Sequence, residues 1–496
     1  MMEAPRYTNY DFGIIAGAAI GMAFLLASGS IVYNLFLHPL RKYPGPILYR
    51  ATKLAFALRL VRGNLPHHVL AWHTKYGPVV RIAPDQLAFS DPEAWKDIYG
   101  HRTDPLAGKE EMPKLDLFFR TPGIPVSIVA ESRANHTKLR RLMSHGFSER
   151  AMREQESLIV SYVQLLIRRL HEKCWTSTKD VTLSENDISD STQTLKLQVQ
   201  DMNTWYNWTT FDIIGDLAFG ESFGCLDNAV YHPWITAIMD SIKTAGMFDA
   251  LAFSQERVKR RMELQIERSD FLDGLIQKKQ GQPLALACLT TNASLLVLAG
   301  SGTTATLLSG VTYLLLNNPQ SMAKLAAEVR SSFSSEEEIT LLSVNKLTYM
   351  LACLNEALRC YPPVVFGLPR VVPKGGSNIA GHFVPQGTVV ACWQWAMNHM
   401  PENWEDPWKY SPERFLEDNP NTRDRLEAMQ PFSVGPRNCL GRNLAYAEMR
   451  LILARIIFNF DLQLADPDFD WLKKSTAFIL WKKPKLNVFL NPVRAA

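Results

Sequence analysis

The chain has 496 residues, 47% hydrophobic and 21% charged, with a formal net charge of +4. That composition excludes wholesale disorder, and a small charge without a long block of one sign excludes a nucleic-acid arm. Seven scattered cysteines (Cys174, Cys225, Cys288, Cys353, Cys360, Cys392, Cys439) without a C-x-x-C pair exclude a disulfide framework and a zinc ribbon, and fit a reducing, cytosol-facing compartment.

Residues 12–37, FGIIAGAAIGMAFLLASGSIVYNLFL, carry no charge. A bilayer-crossing helix needs about 20 apolar residues, so this run predicts a transmembrane anchor. A cleaved signal peptide has a shorter apolar stretch preceded by positive charge, whereas here Glu3, Arg6 and Asp11 precede the run. Arg41 and Lys42 follow it, and the positive-inside bias places residues 1–11 in the lumen and the remainder in the cytoplasm. Asn135, Asn207 and Asn292, each opening an N-x-S/T triplet, are therefore expected to be free of glycan. Gly13, Gly17 and Gly21 draw a smooth stripe along the anchor, suited to close helix approach or simply reflecting the glycine common in such helices. Residues 38–65 read as a proline-rich hinge and lead-in, in which Pro39, Pro44 and Pro46 stiffen the chain. Residues 66–496 form the body.

In the body, HHVLAWHTKYG predicts an amphipathic helix, and VVRIA and QLAFS, parted by Pro84 and Asp85, predict a hairpin. A Pro- and Gly-rich loop over 101–130 follows. Helical periodicity covers 135–169, 205–219, 255–279 and 284–317. In the first of these, His136 and Arg140 are four apart on one face and suit an anionic group. The middle of the last, LVLAGSGTTATLL, carries Ala299, Gly300, Thr303 and Thr304. Small residues there admit a flat cofactor, and hydroxyls divert backbone hydrogen bonds.

LNEALRCYPP places Glu356 and Arg359 three apart on one face in an apolar setting, which predicts a buried ion pair in need of further partners. Short strands are expected over 370–390, and FILW and LNVFL are expected as strands in the tail. PFSVGPRNCLGRNLAYAEM is a glycine-containing loop that runs into a helix with Cys439 at its start. Helix dipole and backbone N–H groups favour a thiolate at that position, and Gly435 and Gly441 allow close approach to the sulfur.

Phe432, Gly435, Arg437, Cys439 and Gly441 match F-x-x-G-x-R-x-C-x-G at every fixed place. This resembles the heme-binding loop of the cytochrome P450 family, and the resemblance runs from the hinge to about residue 490. It implies a mainly α cytochrome P450 fold, a large helical body with a small β-sheet region, plus the N-terminal transmembrane helix. It further implies heme b (iron protoporphyrin IX) with Cys439 as the axial thiolate that promotes O–O cleavage. Phe432 would shield the sulfur, and Arg437 and Arg370 would meet propionates together with His136 and Arg140. Arg414 of PERF would join Glu356 and Arg359 as a structural triad. Ala299, Gly300 and Thr303 would belong to the oxygen-binding helix, with Thr303 delivering protons.

One departure is plain. The acid usual before that threonine is Gly302, which puts the usual proton route in question. The implied activity is insertion of one oxygen atom from O2 into a hydrophobic small molecule, with electrons from NADPH through a flavin reductase and with membrane lipid around the anchor. The alternatives are oxidative coupling, desaturation or rearrangement on the same scaffold, and a non-enzymatic heme sensor. HPLRKYPGP, HTKLRRLMSHGFSE and FDIIGDLAFGESFG resemble fungal microsomal enzymes of secondary metabolism, implying the endoplasmic reticulum membrane. Lys138, Arg141 and Arg442 are candidates for a basic docking face. Residues 118–126, Leu295, Leu298 and residues 364–366 are candidates for substrate contact.

Overall fold

A computed structural model describes residues 9–101, 111–178, 194–235, 246–264, 270–276, 284–419 and 423–493. Parts of the expected loop over 101–130 and of the helix over 255–279 lie outside the described residues. The first helix, α1 (Asn9–Val32), continues as a π-turn over Tyr33–Leu37. The stretch Ile14–Leu37 has mean hydropathy 2.0 and none of it is buried. It is long and apolar enough to cross a bilayer.

Two helices that the sequence reading passed over as hinge follow, α2 (Ile47–Ala51) and α3 (Lys53–Val61), the latter capped by the Thr52 hydroxyl. They leave Ile47, Leu48, Leu54 and Val61 exposed beside the anchor. Arg81, fully buried, donates to the carbonyls of Asn34 and Pro84, while its own N–H donates to Pro44. The foot of the anchor is thereby tied to the body.

After α4 (Leu65–Tyr76), strands β1 (Val79–Ala83) and β2 (Gln86–Phe89) pair antiparallel as the expected hairpin. The expected single helix over 135–169 is two. These are α5 (Arg133–Met143), capped by Ser132, and α6 (Glu149–Lys173), capped by Ser148, with a 3-10 turn between them. In α6 the residues Ala151, Gln155, Ile159, Val163, Leu166 and Leu170 form one buried stripe at helical spacing. Next come α7 (Met202–Phe219) and the 31-residue α8 (Leu286–Leu316). The α8 helix is apolar enough to pass for a membrane span, but it is 61% buried over that window and serves as the central core helix. It packs against α7, α9 (Thr348–Cys360) and α11 (Arg442–Asn459).

The sheet region is small. Strand β2 pairs parallel with β4 (Val389–Cys392), which pairs antiparallel with β3 (Arg370–Val371). Helix α10 (Gln394–His399) follows β4. Near the C-terminus, β5 (Phe460–Leu464) pairs with β6 (Asn487–Pro492). LNVFL is a strand as expected. FILW is not: strands of two residues, Thr476–Ala477 and Trp481–Lys482, flank a tight turn at 478–480, whose Leu480 bridges to Val364. Apolar residues alone read as strand there, but the turn consumes them.

Candidate active site

One cavity of about 490 Å³ lies against α8, α5 and the loop before α11, within the usual range for small-molecule sites. Ala299, Gly300, Thr303, Leu295 and Leu298 line it from α8, and Val364 and Phe366 from the segment after α9. None of residues 118–126 lines it. Phe118 instead stacks on Phe366 from behind, with ring centroids 5.8 Å apart, while Ile128 and Val129 take the wall expected of that loop.

The cysteine loop is built to point inward. Gly435 has φ +74°, and a side chain there would overlap the carbonyl of Tyr99, so only glycine fits. Tyr99 is itself pinned, donating its hydroxyl to Leu368 and accepting from the N–H of Cys392. The Cys439 N–H donates to the Phe432 carbonyl at 2.8 Å, closing the loop. Cys439 is exposed, but its exposure is to the cavity it lines. Burial from bulk water raises its thiol pKa, while the Gly441 N–H and the charges of Arg140 and Arg442 favour the thiolate. Phe432 also lines the cavity, with its ring 5.2 Å from that of Tyr446 and the Arg442 guanidinium over it.

Of the expected propionate partners, His136, Arg140 and Arg437 line the cavity, whereas Arg370 does not and stands within electrostatic reach of Arg437. Arg140 spends two nitrogens on Asn438, on its carbonyl at 2.7 Å and its side-chain oxygen at 2.6 Å, and so clamps the residue before Cys439. His136 is held neutral: burial, with Arg437 beside it, depresses its pKa to about 4. Arg370 is buried and lies over the Tyr99 ring, so it is not a solvated surface cation.

Two further members had been missed. Lys114, a cavity residue donating to the Val129 carbonyl, is pushed down to about 7 by burial and by Arg370 and Arg437. Glu111 pairs with Arg437; burial opposes its ionisation, but the Arg437 contact prevails and holds its carboxyl below the usual range. Both lie in a loop without periodicity, so no spacing signals them.

On α8, the Thr303 hydroxyl donates to the Ala299 carbonyl at 2.7 Å. A side chain at Gly300 would press on Ile214 at 3.0 Å, whereas at Gly302 it would meet only Leu480, at 3.8 Å. Nothing steric forbids an acid at residue 302. A carboxyl does stand nearby, from α11: Glu448 lines the same cavity, is fully buried, and neither oxygen has a hydrogen bond. Burial raises its pKa to about 8, pulled back slightly by the Thr304 hydroxyl beside it. Its helix also carries Arg442, Arg450 and Arg455, so a charge at 448 did not stand out in the sequence.

Behind the cavity, Glu356 binds Arg359 through both oxygens at 2.7 Å and lies 3.4 Å from Arg414. The triad has a fourth member, Asp424, 2.6 Å from Arg414. None of the four lines the cavity.

These residues fit an iron porphyrin. The cavity offers one inward-facing thiol on a glycine-formed loop and a small-residue helix surface. Its cations Lys114 and Arg437, with Arg370 close behind them, have Glu111 as their near anion, and Arg437 keeps a buried Nη1 without a partner. A flat, dianionic, thiolate-ligated group answers each of these features.

Comparison with known proteins agrees. The family pattern described as Cytochrome P450 matches residues 44–255 and 231–489. The chain is 46% identical to Cytochrome P450 monooxygenase tpeC of Talaromyces stipitatus, over 99% of this chain and 96% of the relative. It is 42% identical to Trichothecene C-15 hydroxylase of Fusarium sporotrichioides, over 98% and 99%. With Averantin hydroxylase of Dothistroma septosporum it shares 41% identity, over 96% and 91%.

Proposed function

The chain belongs to the cytochrome P450 family, and from that premise we propose that it is a monooxygenase tailoring a hydrophobic secondary metabolite, in which Cys439 would hold the heme iron as a thiolate. Membership makes it an oxygen-incorporating oxidoreductase that works with heme, a cysteine thiolate, dioxygen, a hydrophobic substrate and a redox partner. The observation that carries the assignment is the Cys439 sulfur, open to the same cavity as Ala299, Gly300 and Thr303.

When bound, the heme supplies the binding and reductive activation of dioxygen. In this reading Gly441 and the loop carbonyl pairing hold the sulfur, and Arg140 braces the loop through Asn438. Arg437, Arg370 and Lys114 neutralise the propionates, with His136 as an uncharged donor. Thr303 hands protons toward the oxygen site. Glu448, protonated at neutral pH, stands as the acid that Gly302 lacks. The apolar wall of Leu295, Leu298, Val364 and Phe366 excludes water and receives the substrate.

Residues 12–37 serve as a single-pass anchor in the endoplasmic reticulum membrane, 38–65 as hinge and lead-in, and 66–496 as the cytoplasmic heme-binding domain. Asn207 and Asn292 are buried, which suits an unglycosylated body. Lys138, Arg141 and Arg442 are exposed near the cysteine loop and offer a face to an acidic NADPH-dependent flavin reductase.

The test is spectroscopic. The reduced, carbon-monoxide-bound protein is expected to show the red-shifted Soret band of a thiolate-ligated heme, and Cys439→Ser to lose it. An unchanged band in the variant would defeat the assignment. Turnover with labelled dioxygen then separates oxygen insertion, which labels the product, from coupling, desaturation or rearrangement.

A further inference from the structure

Behind the cavity wall stands a run of aromatic rings that the monooxygenase reading does not use. Trp481 follows Leu480, a cavity residue, and its indole N–H donates to the Pro362 carbonyl at 2.8 Å, next to the lining residues Pro363 and Val364. Its ring centroid is 5.3 Å from that of Trp395, and Trp395 is 4.1 Å from His399 and 6.1 Å from Trp408. The His399 ring fills the last gap, 4.4 Å from Trp408. Trp481 and Trp395 are buried, whereas Trp408 is 66% exposed. Packing explains the first two. The same contacts seat one side of Trp408 on His399 and Trp395 and leave the other side in water, so the row runs unbroken from the cavity wall to the surface. His399 is buried and its pKa is lowered to about 3 by that burial, so an uncharged ring bridges the two indoles.

We propose that Trp481, Trp395 and Trp408 form an electron relay between the cavity and the surface, giving the protein a second activity as a substrate-free peroxidase toward small thiols. The proposal rests on the heme-thiolate reading.

The balance is as follows. One hydrogen peroxide reacting at the heme leaves two oxidising equivalents there. Each is filled by an electron from Trp481, which is refilled from Trp395 and then from Trp408. Trp408 gives its indole proton to water and becomes a neutral radical. A thiol restores it by giving up a hydrogen atom, and two thiyl radicals join as a disulfide. The sum is H2O2 + 2 RSH → 2 H2O + RSSR.

The experiment uses the full-length, heme-loaded protein without substrate, treated with hydrogen peroxide in the presence or absence of glutathione, and oxidised tryptophan is mapped by peptide mass spectrometry. Trp408 is expected to accumulate oxidation that glutathione suppresses. Trp481→Phe, which does not touch Trp408, and Trp395→Phe, which lies away from the cavity wall, are each expected to lower that oxidation severalfold and to speed heme bleaching. Oxidation of Trp408 that is unchanged in both variants would mean direct attack at the surface and overturn the relay. Trp408→Phe is expected to shift the damage inward to Trp395, and damage that does not move would overturn it as well. Each variant is first checked for the red-shifted carbon monoxide band. Its presence keeps the heme-thiolate reading intact whatever the fate of the relay.

Discussion

Glu448 shows how a single buried group links stability to chemistry. Its carboxyl titrates near 4.5 when unfolded and near 8 when folded. Between those values the folded state holds the extra proton, so stability falls as pH rises through the window, by at most about 1.4 kcal/mol per pH unit. Glu448→Gln is expected to flatten that decline when melting temperature is followed from about pH 5 to about pH 8, and equal slopes would mean that the carboxylate is already ionised in the fold. The same variant is expected to consume more reducing equivalents per product, because the proton donor beside Thr304 is gone. Around the propionates, two neighbouring residues carry opposite signs. Lys114→Gln removes a cavity cation that would face a propionate and is expected to hasten heme transfer to a scavenger protein. Glu111→Gln frees Arg437 from its competing carboxylate and is expected to slow it.

Among the elements, α9 carries two jobs on opposite faces: Leu358 lines the cavity, and Glu356 and Arg359 grip the segment beneath it. Breaking a buried ion pair by removing one partner costs about 3–5 kcal/mol, so Glu356→Gln is expected to lower the melting temperature and the heme content together. Asp424→Asn is expected to rank with it, since Asp424 holds Arg414 from the other side; a near-neutral Asp424→Asn would show that the fourth member is dispensable. The Glu356–Arg359 pair was legible because i,i+3 spacing is a helix property and Arg414 followed only from the family resemblance, whereas Asp424 lies in irregular chain where spacing carries no geometry. The cysteine loop was legible for a related reason: glycine at 435 is imposed by the Tyr99 carbonyl, and such backbone demands leave fixed letters in a sequence. The FILW segment misled because apolar residues packing at a turn and in a strand have the same composition. Helices α2 and α3 hid behind the prolines before them.

At the scale of the whole molecule, the apolar residues left exposed on α2 and α3 continue the exposed apolar surface of the N-terminal helix, a surface suited to lipid. Removal of residues 1–37 is expected to leave a protein that still floats with liposomes and is released by detergent rather than by salt; a fully soluble product would show that the anchor alone confers binding. The helical body and small sheets were readable from periodicity. How the foot of the anchor is fixed was not, because the Arg81 contacts join residues 34, 44, 81 and 84 through backbone carbonyls that have no sequence signature. The cluster of Lys114, Arg370 and Arg437 has a consequence for biosynthesis. A dianion bound there would relieve the mutual repulsion of those cations and so would add to the bonds that hold the Cys439 loop. Cofactor supply is therefore expected to set when a newly made chain matures: chains made without heme should be cut in the Cys439 loop by added protease, and loaded ones should resist it.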